Sequence, residues 1–167
     1  GTNTPLGTVA GGISVSSGAA FDLNGHSLGT TEALTTNGTG ISNTGVVLNT
    51  SSATANYSGL MTLSGATAVY ANYGNINITN TGTVGNAAVN FELRGNGNGT
   101  FASILGTTTG TLTKAGTGTW TLSGASTFTG ATTISGGVLK LGSGGSGANT
   151  PLGTTTNGTS VSSGAVL

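Results

Sequence analysis

The sequence predicts an all-β chain wound from repeating turns, and three observations carry that prediction. The 167 residues include 33 Gly and only 4% charged side chains, with abundant Thr, Ser and Asn. Strong helix formers such as Lys, Arg and Glu are scarce, while Gly, Thr, Val and Ile punctuate the chain in a way helices tolerate poorly. Short runs of alternating apolar and polar residues recur between Gly, Asn and Ser, which is the period of half-buried strands. The end of the chain also repeats its beginning: Asn3-Thr4-Pro5-Leu6-Gly7-Thr8 returns as Asn149-Thr150-Pro151-Leu152-Gly153-Thr154, an offset of 146 residues (149 − 3). Connections this short cannot hold crossover helices, which leaves a sandwich, a barrel or a solenoid, and the large-scale repetition favours the solenoid.

Residues 3–21 align with 149–167 without a gap, and 13 of the 19 positions are identical, including Ser14-Val15-Ser16-Ser17-Gly18-Ala19. Low complexity alone would not hold that register. The reading is of a tandem array, with residues 1–146 as one full β-solenoid repeat unit and 147–167 as the start of the next copy, continuous with it and not a separate domain.

In chain order the expected strands are Ile13-Ser14-Val15, Phe21-Asp22-Leu23, Val46-Val47-Leu48, Met61-Thr62-Leu63, Asn75-Ile76-Asn77-Ile78, Val89-Asn90-Phe91-Glu92-Leu93 and Val138-Leu139-Lys140-Leu141. The clearest pattern is Thr111-Leu112-Thr113, Thr119-Trp120-Thr121 and Thr127-Phe128-Thr129, three Thr-apolar-Thr triplets at steps of eight residues. Each buries its middle residue and turns two threonines outward. Between them lie Lys114-Ala115-Gly116-Thr117-Gly118 and Ser123-Gly124-Ala125-Ser126, small turn residues suited to a corner.

The stretch from Leu112-Thr113-Lys114-Ala115-Gly116-Thr117-Gly118-Thr119-Trp120-Thr121-Leu122-Ser123-Gly124 to Gly137-Val138-Leu139-Lys140-Leu141-Gly142 closely resembles the autotransporter-associated β-strand repeat, also called the passenger-associated transport repeat. Asn149-Thr150-Pro151-Leu152-Gly153, Val161-Ser162-Ser163-Gly164-Ala165 and Phe21-Asp22-Leu23-Asn24-Gly25 resemble segments common in such proteins, whereas residues 30–105 match only in style. The resemblance implies a right-handed parallel β-helix in a very large repetitive protein on or outside the surface of a Gram-negative-type bacterium, exported across the outer membrane by an autotransporter or another route. With rungs of roughly 20 to 24 residues, one unit would hold about six or seven rungs and add about 30 to 35 Å of length at ~4.8 Å per rung.

Charge narrows the functions further. Asp22, Glu32 and Glu92 balance Arg94, Lys114 and Lys140, so no basic patch exists to neutralise phosphates and no nucleic-acid partner is expected. No apolar run is long enough to span a bilayer as a helix, and no basic amphipathic face is present, so no membrane contact by this segment is expected. The absence of Cys removes disulfides and thiolate metal sites. No Gly-Gly-x-Gly-x-Asp repeat occurs and acidic residues are sparse, so no metal or cofactor is expected.

Candidate chemistry is thin. Asp22, Asn24 and His26 share a strand parity in which a carboxylate could orient an imidazole, but no nucleophile motif accompanies them and Asn24-Gly25 reads as a turn. Glycoside cleavage needs two neighbouring carboxyl groups, and only Asp22, Glu32 and Glu92 are available: Glu92 lies sixty residues beyond Glu32, and Asp22 and Glu32 would have to meet across a corner. Glu92 and Arg94 read as an ion pair on one solvated strand face. Lys114 and Lys140 read as gatekeepers that keep a neutral surface from pairing with its neighbours. Trp120, Tyr57, Tyr70 and Tyr73 could line a sugar-binding face, although the threonines flanking Trp120 point it inward and Tyr70 and Tyr73 differ in parity. A regular Thr face could bind ice, yet the eight-residue step spreads the triplets around the rung.

The sequence therefore points to a non-enzymatic structural repeat: a β-solenoid stalk or filament of a giant extracellular or cell-surface fibre or adhesin. The alternative is an extracellular binding module for glycans or ice. The expected partners are neighbouring repeats of the same protein, with lateral or end-to-end self-association, and cell-surface glycans or other cells. No catalytic, cofactor or metal residues are assigned.

Overall fold

The computed structural model describes residues 3–4, 6–8, 10–28, 30–85 and 87–167, so Pro5 of the first repeat copy lies outside the described residues. It is a β-solenoid of six turns whose strands stack in parallel into three columns. The first column runs through Ile13–Val15, residues 34–36, residues 61–63, Thr83–Val84 and Ile104–Leu105. Gly82 and Gly85 sit against Leu60 and Leu63, which joins its upper and lower parts. It continues to Ser126, whose hydroxyl accepts the Leu105 N–H at 3.1 Å, and then bridges to Thr150.

The second column contains Phe21–Asp22, Val47–Asn49, residues 67–71, Phe91–Arg94, Leu112–Lys114, Thr132–Ile134 and Thr159–Val161. The third contains Ala55–Tyr57, Ile76–Ile78, Gly99–Phe101, Thr119–Leu122 and Val138–Leu141, ending in a bridge to Val166. Met61–Ala71 runs through both of the first two columns, with residues 64–66 unpaired at the bend. Among the described residues the one helical element is the 3₁₀ turn Ile41–Asn43.

Along the central turns, side-chain bonds to the neighbouring turn span 20 to 23 residues, and in the last turn the bond from Asn157 to Thr129 spans 28. Around residues 30–67 they span 25 to 31, because a loop over residues 39–46 projects between the first two columns. Two of its residues, Ser42 and Asn43, have φ of 48° and 66°. Gly45 N–H donates to Thr39 O at 2.7 Å and closes the base of the loop.

The interior follows from period two. Alternate residues of each strand point inward, stacking Leu34, Met61, Val84 and Leu105 in one column, Val69, Leu93 and Ile134 in the next, and Ile78, Phe101 and Leu122 in the third, all buried. Phe91 and Phe101 meet across the lumen with ring centroids 5.0 Å apart. Backbone ladders and this apolar stack together hold a chain that has no separate globular core.

Corners need the smallest residues. Gly97 and Gly118 lie one above the other, and a Cβ on either would strike the carbonyl of Gly74 or Gly97 in the turn before. Gly99 faces the Trp120 ring, where a Cβ would collide with the indole. Gly99→Ala is therefore expected to destabilise the chain by about 1–3 kcal/mol through overpacking, read as a lower urea midpoint. An unchanged midpoint would mean that the ring has room to move.

Candidate functional surface

The Thr-apolar-Thr triplets show how sequence becomes surface. Leu112, Trp120 and Phe128 are buried, on the second column, on the third column and just past the first respectively. The triplets therefore face three directions, and the flat threonine plane required for ice is not built from them.

The most continuous polar surface is on the third column. Asn56, Asn77, Thr100, Thr121 and Lys140 are in register on successive turns. Asn77 Nδ2 donates to Asn56 Oδ1 at 2.8 Å, and Thr100 Oγ1 donates to Asn77 Oδ1 at 3.0 Å. A second ladder lies beside it, in which Asn98 N–H donates to Asn75 Oδ1 at 3.1 Å and Thr119 N–H to Asn98 Oδ1 at 2.8 Å. Between the ladders is an open groove of about 280 Å³, floored by Gly99 and closed at one end by Lys140. Amides and hydroxyls line it, so it can exchange hydrogen bonds with a polar ligand but offers no apolar ring to stack on.

The candidate catalytic side chains are held by the fold. Asp22 Oδ1 accepts the N–H of Asn24 at 2.8 Å and of Thr50 at 3.2 Å, and Oδ2 accepts the Thr50 hydroxyl at 2.5 Å. Asn24 and Gly25 form the expected turn, with φ of 43° and 75°. Glu92 pairs with Arg94, whose Nη1 also donates to Asn43 O at 2.9 Å and ties the projecting loop to the fourth turn. Glu32 is buried near Tyr57, whose hydroxyl donates to the Glu32 carbonyl. Burial, reinforced by the Glu32 charge, raises the Tyr57 pKa. Among the described residues no three His, Asp or Glu side chains gather into a metal-binding group.

Of the aromatic candidates, Trp120 and Tyr57 are buried, and Trp120 Nε1 donates to Arg94 O at 3.1 Å. Tyr70 is half-buried, and Tyr73 is 71% exposed. They form no common sugar-stacking face.

Lys114 departs from the sequence reading. It is not a surface gatekeeper but fully buried, stacked between Leu93 and Ile134. Its ammonium donates to the carbonyls of Ala115, Gly116 and Gly136 at 3.0, 2.9 and 3.0 Å, joining the corners of two successive turns. Strand parity was the signal that could have found it, because Leu112 points inward and Lys114 is two residues on. Lys140 is exposed, as expected of a gatekeeper.

Residues 112–141 match the passenger-associated-transport-repeat family. This segment is similar to a passenger-associated transport repeat. It comprises one complete turn and two further sides, and each of its distinctive residues has a place in the fold: Leu112, Trp120 and Ile134 fill the lumen, Lys114 clamps a corner, and Gly116 takes φ of 75°. No curated protein and no solved structure gave a significant match to the chain.

Proposed function

We propose that the chain is a structural repeat of a long surface or extracellular fibre, a non-catalytic β-solenoid that extends by adding turns. One observation carries this reading: the second copy of the repeated segment joins the solenoid as a further turn. Thr159–Val161 pairs in parallel with Thr132–Ile134, and Leu152 packs against the core. Its first-copy counterpart Leu6 is 45% exposed, beside Phe21 and Leu28 at an apolar hollow of about 180 Å³. A preceding unit would cover that end. Adhesion and filament formation follow as roles of such a stalk, because little charge opposes contact between its neutral faces.

Nearest-neighbour coupling gives the test. Chains of two or three 146-residue units should melt at progressively higher denaturant than the single unit, since terminal turns contribute least and interior ones gain two neighbours. Equal midpoints across the series would sink the tandem reading. Electron microscopy of such chains should show a thin rod lengthening by about 30 Å per unit.

The groove between the two polar ladders favours a second reading, a module for neutral or singly anionic saccharides. Binding on a glycan array that is lost in Asn77→Ala and Thr121→Ala would support it, whereas silence there would leave the stalk as the whole function.

A further inference from the structure

The two copies of the repeated segment fold alike but stand on different sides of the solenoid. In both, a strand leads into the same turn: Ala19 N–H donates to Ser16 O at 3.0 Å, and Ala165 N–H donates to Ser162 O at 3.0 Å. Gly18 and Gly164 take matching φ of 82° and 79°. Yet Ile13–Val15 pairs with residues 34–36 on the first column, whereas Thr159–Val161 pairs with Thr132–Ile134 on the second. Beyond the turn, Phe21 enters the second column, while Val166 enters the third.

Residue counting gives the same result. Six turns carry the first column from Ile13 to Thr150, which is 137 residues (150 − 13). The sequence repeats every 146, nine more. One side of a turn takes eight residues in the Thr-apolar-Thr series, so the remainder is one side. The unit is six turns and about a third.

We propose that successive units are set one column apart around the axis, so that the array carries each unit's projecting loop to a new side. The inference rests on the tandem reading above. The loop over residues 39–46, with Ile41 58% exposed at its 3₁₀ turn, lies between the first and second columns. In the next unit it falls between the second and third, then between the third and first. Three units, about 19 turns or ~90 Å, restore the starting side. A fibre built this way presents its loops all round and has no single contact edge, which suits it to touching neighbours on three sides.

Because the chain contains no Cys, engineered pairs report register without background. Paired positions on adjacent parallel strands lie ~4.8 Å apart, within the Cα range of a disulfide. Ser14→Cys with Thr35→Cys reports the first copy, and Thr133→Cys with Ser160→Cys the second; both should close on oxidation in the full chain. Thr127→Cys with Ser160→Cys is the pair that closes if the unit is a whole number of turns. Closure of that pair, or of neither Ser160 pair in a variant whose reduced form melts like the parent, overturns the shift. A two-unit chain imaged by cryo-electron microscopy should show its loops about 120° apart; loops on one side overturn the shift as well. A two-unit chain that gains no stability sinks the tandem reading while leaving the cysteine result standing.

Discussion

Trp120→Ala is expected to lower stability by about 3–5 kcal/mol, the range for truncating a buried aromatic side chain. The indole is fully buried, and its ring occupies the space that Gly99 leaves in the turn before. Truncation therefore opens a void whose wall on that side is a residue with no side chain to collapse into it. The Arg94 carbonyl also loses its indole donor. A globular core can shift helices or loops to close such a gap, whereas here the third-column strands are fixed by parallel ladders on both sides. The measurement is a urea midpoint by circular dichroism together with amide exchange. The midpoint should fall, and protection should be lost first around Gly99–Phe101, Thr119–Leu122 and Val138–Leu141. A loss below about 1 kcal/mol, or protection lost evenly along the chain, would show that the turns repack around the void.

The fold was legible because a solenoid writes its period directly into the sequence. Strand parity, the eight-residue step and the small corners around Gly116 and Gly118 depend on local geometry, and the structure places them as read. What was not legible depends on which turn meets which. Residues 30–105 carry a projecting loop and one strand spanning two columns, which interrupt the even spacing on which the sequence reading relied. The polar groove was missed because the expected strand Asn75-Ile76-Asn77-Ile78 fixes the parity of its own residues but not that the next turn sets Asn98 and Thr100 beside them. Asn49 was missed for a related reason. It is buried, accepts from Gly25 and Ser51 N–H and donates to the Ala53 and Asn75 carbonyls, partners contributed by three different turns. Composition also misled the reading of Lys114, since a lone charge in a neutral chain suggests solvent more strongly than its parity suggests the lumen.

Lys114→Met is expected to cost about 2–3 kcal/mol at pH 7, although methionine keeps the apolar stem between Leu93 and Ile134. Three carbonyls lose their donor; a fully buried orphan would cost about 1–3 kcal/mol, but Ala115 and Gly136 are half-buried and Gly116 is exposed, and removal of a desolvated ammonium returns part of the loss. The balance can be read from pH. Burial lowers the Lys114 pKa to about 8, against roughly 10.4 in an unfolded chain. Between those values the unfolded chain holds the proton that the folded chain has released, so stability rises with pH through that window. The parent chain's urea midpoint should therefore climb from pH 8 to 9, where an unfolded tyrosine is still about nine-tenths protonated, and Lys114→Met should lack that climb. The neutral amine still has two hydrogens for three carbonyls, so the gain is partial and the clamp persists. A midpoint that falls over this range in the parent would mean that the carbonyls hold the ammonium more strongly than burial opposes it. The same slope in both proteins would place its source at another group.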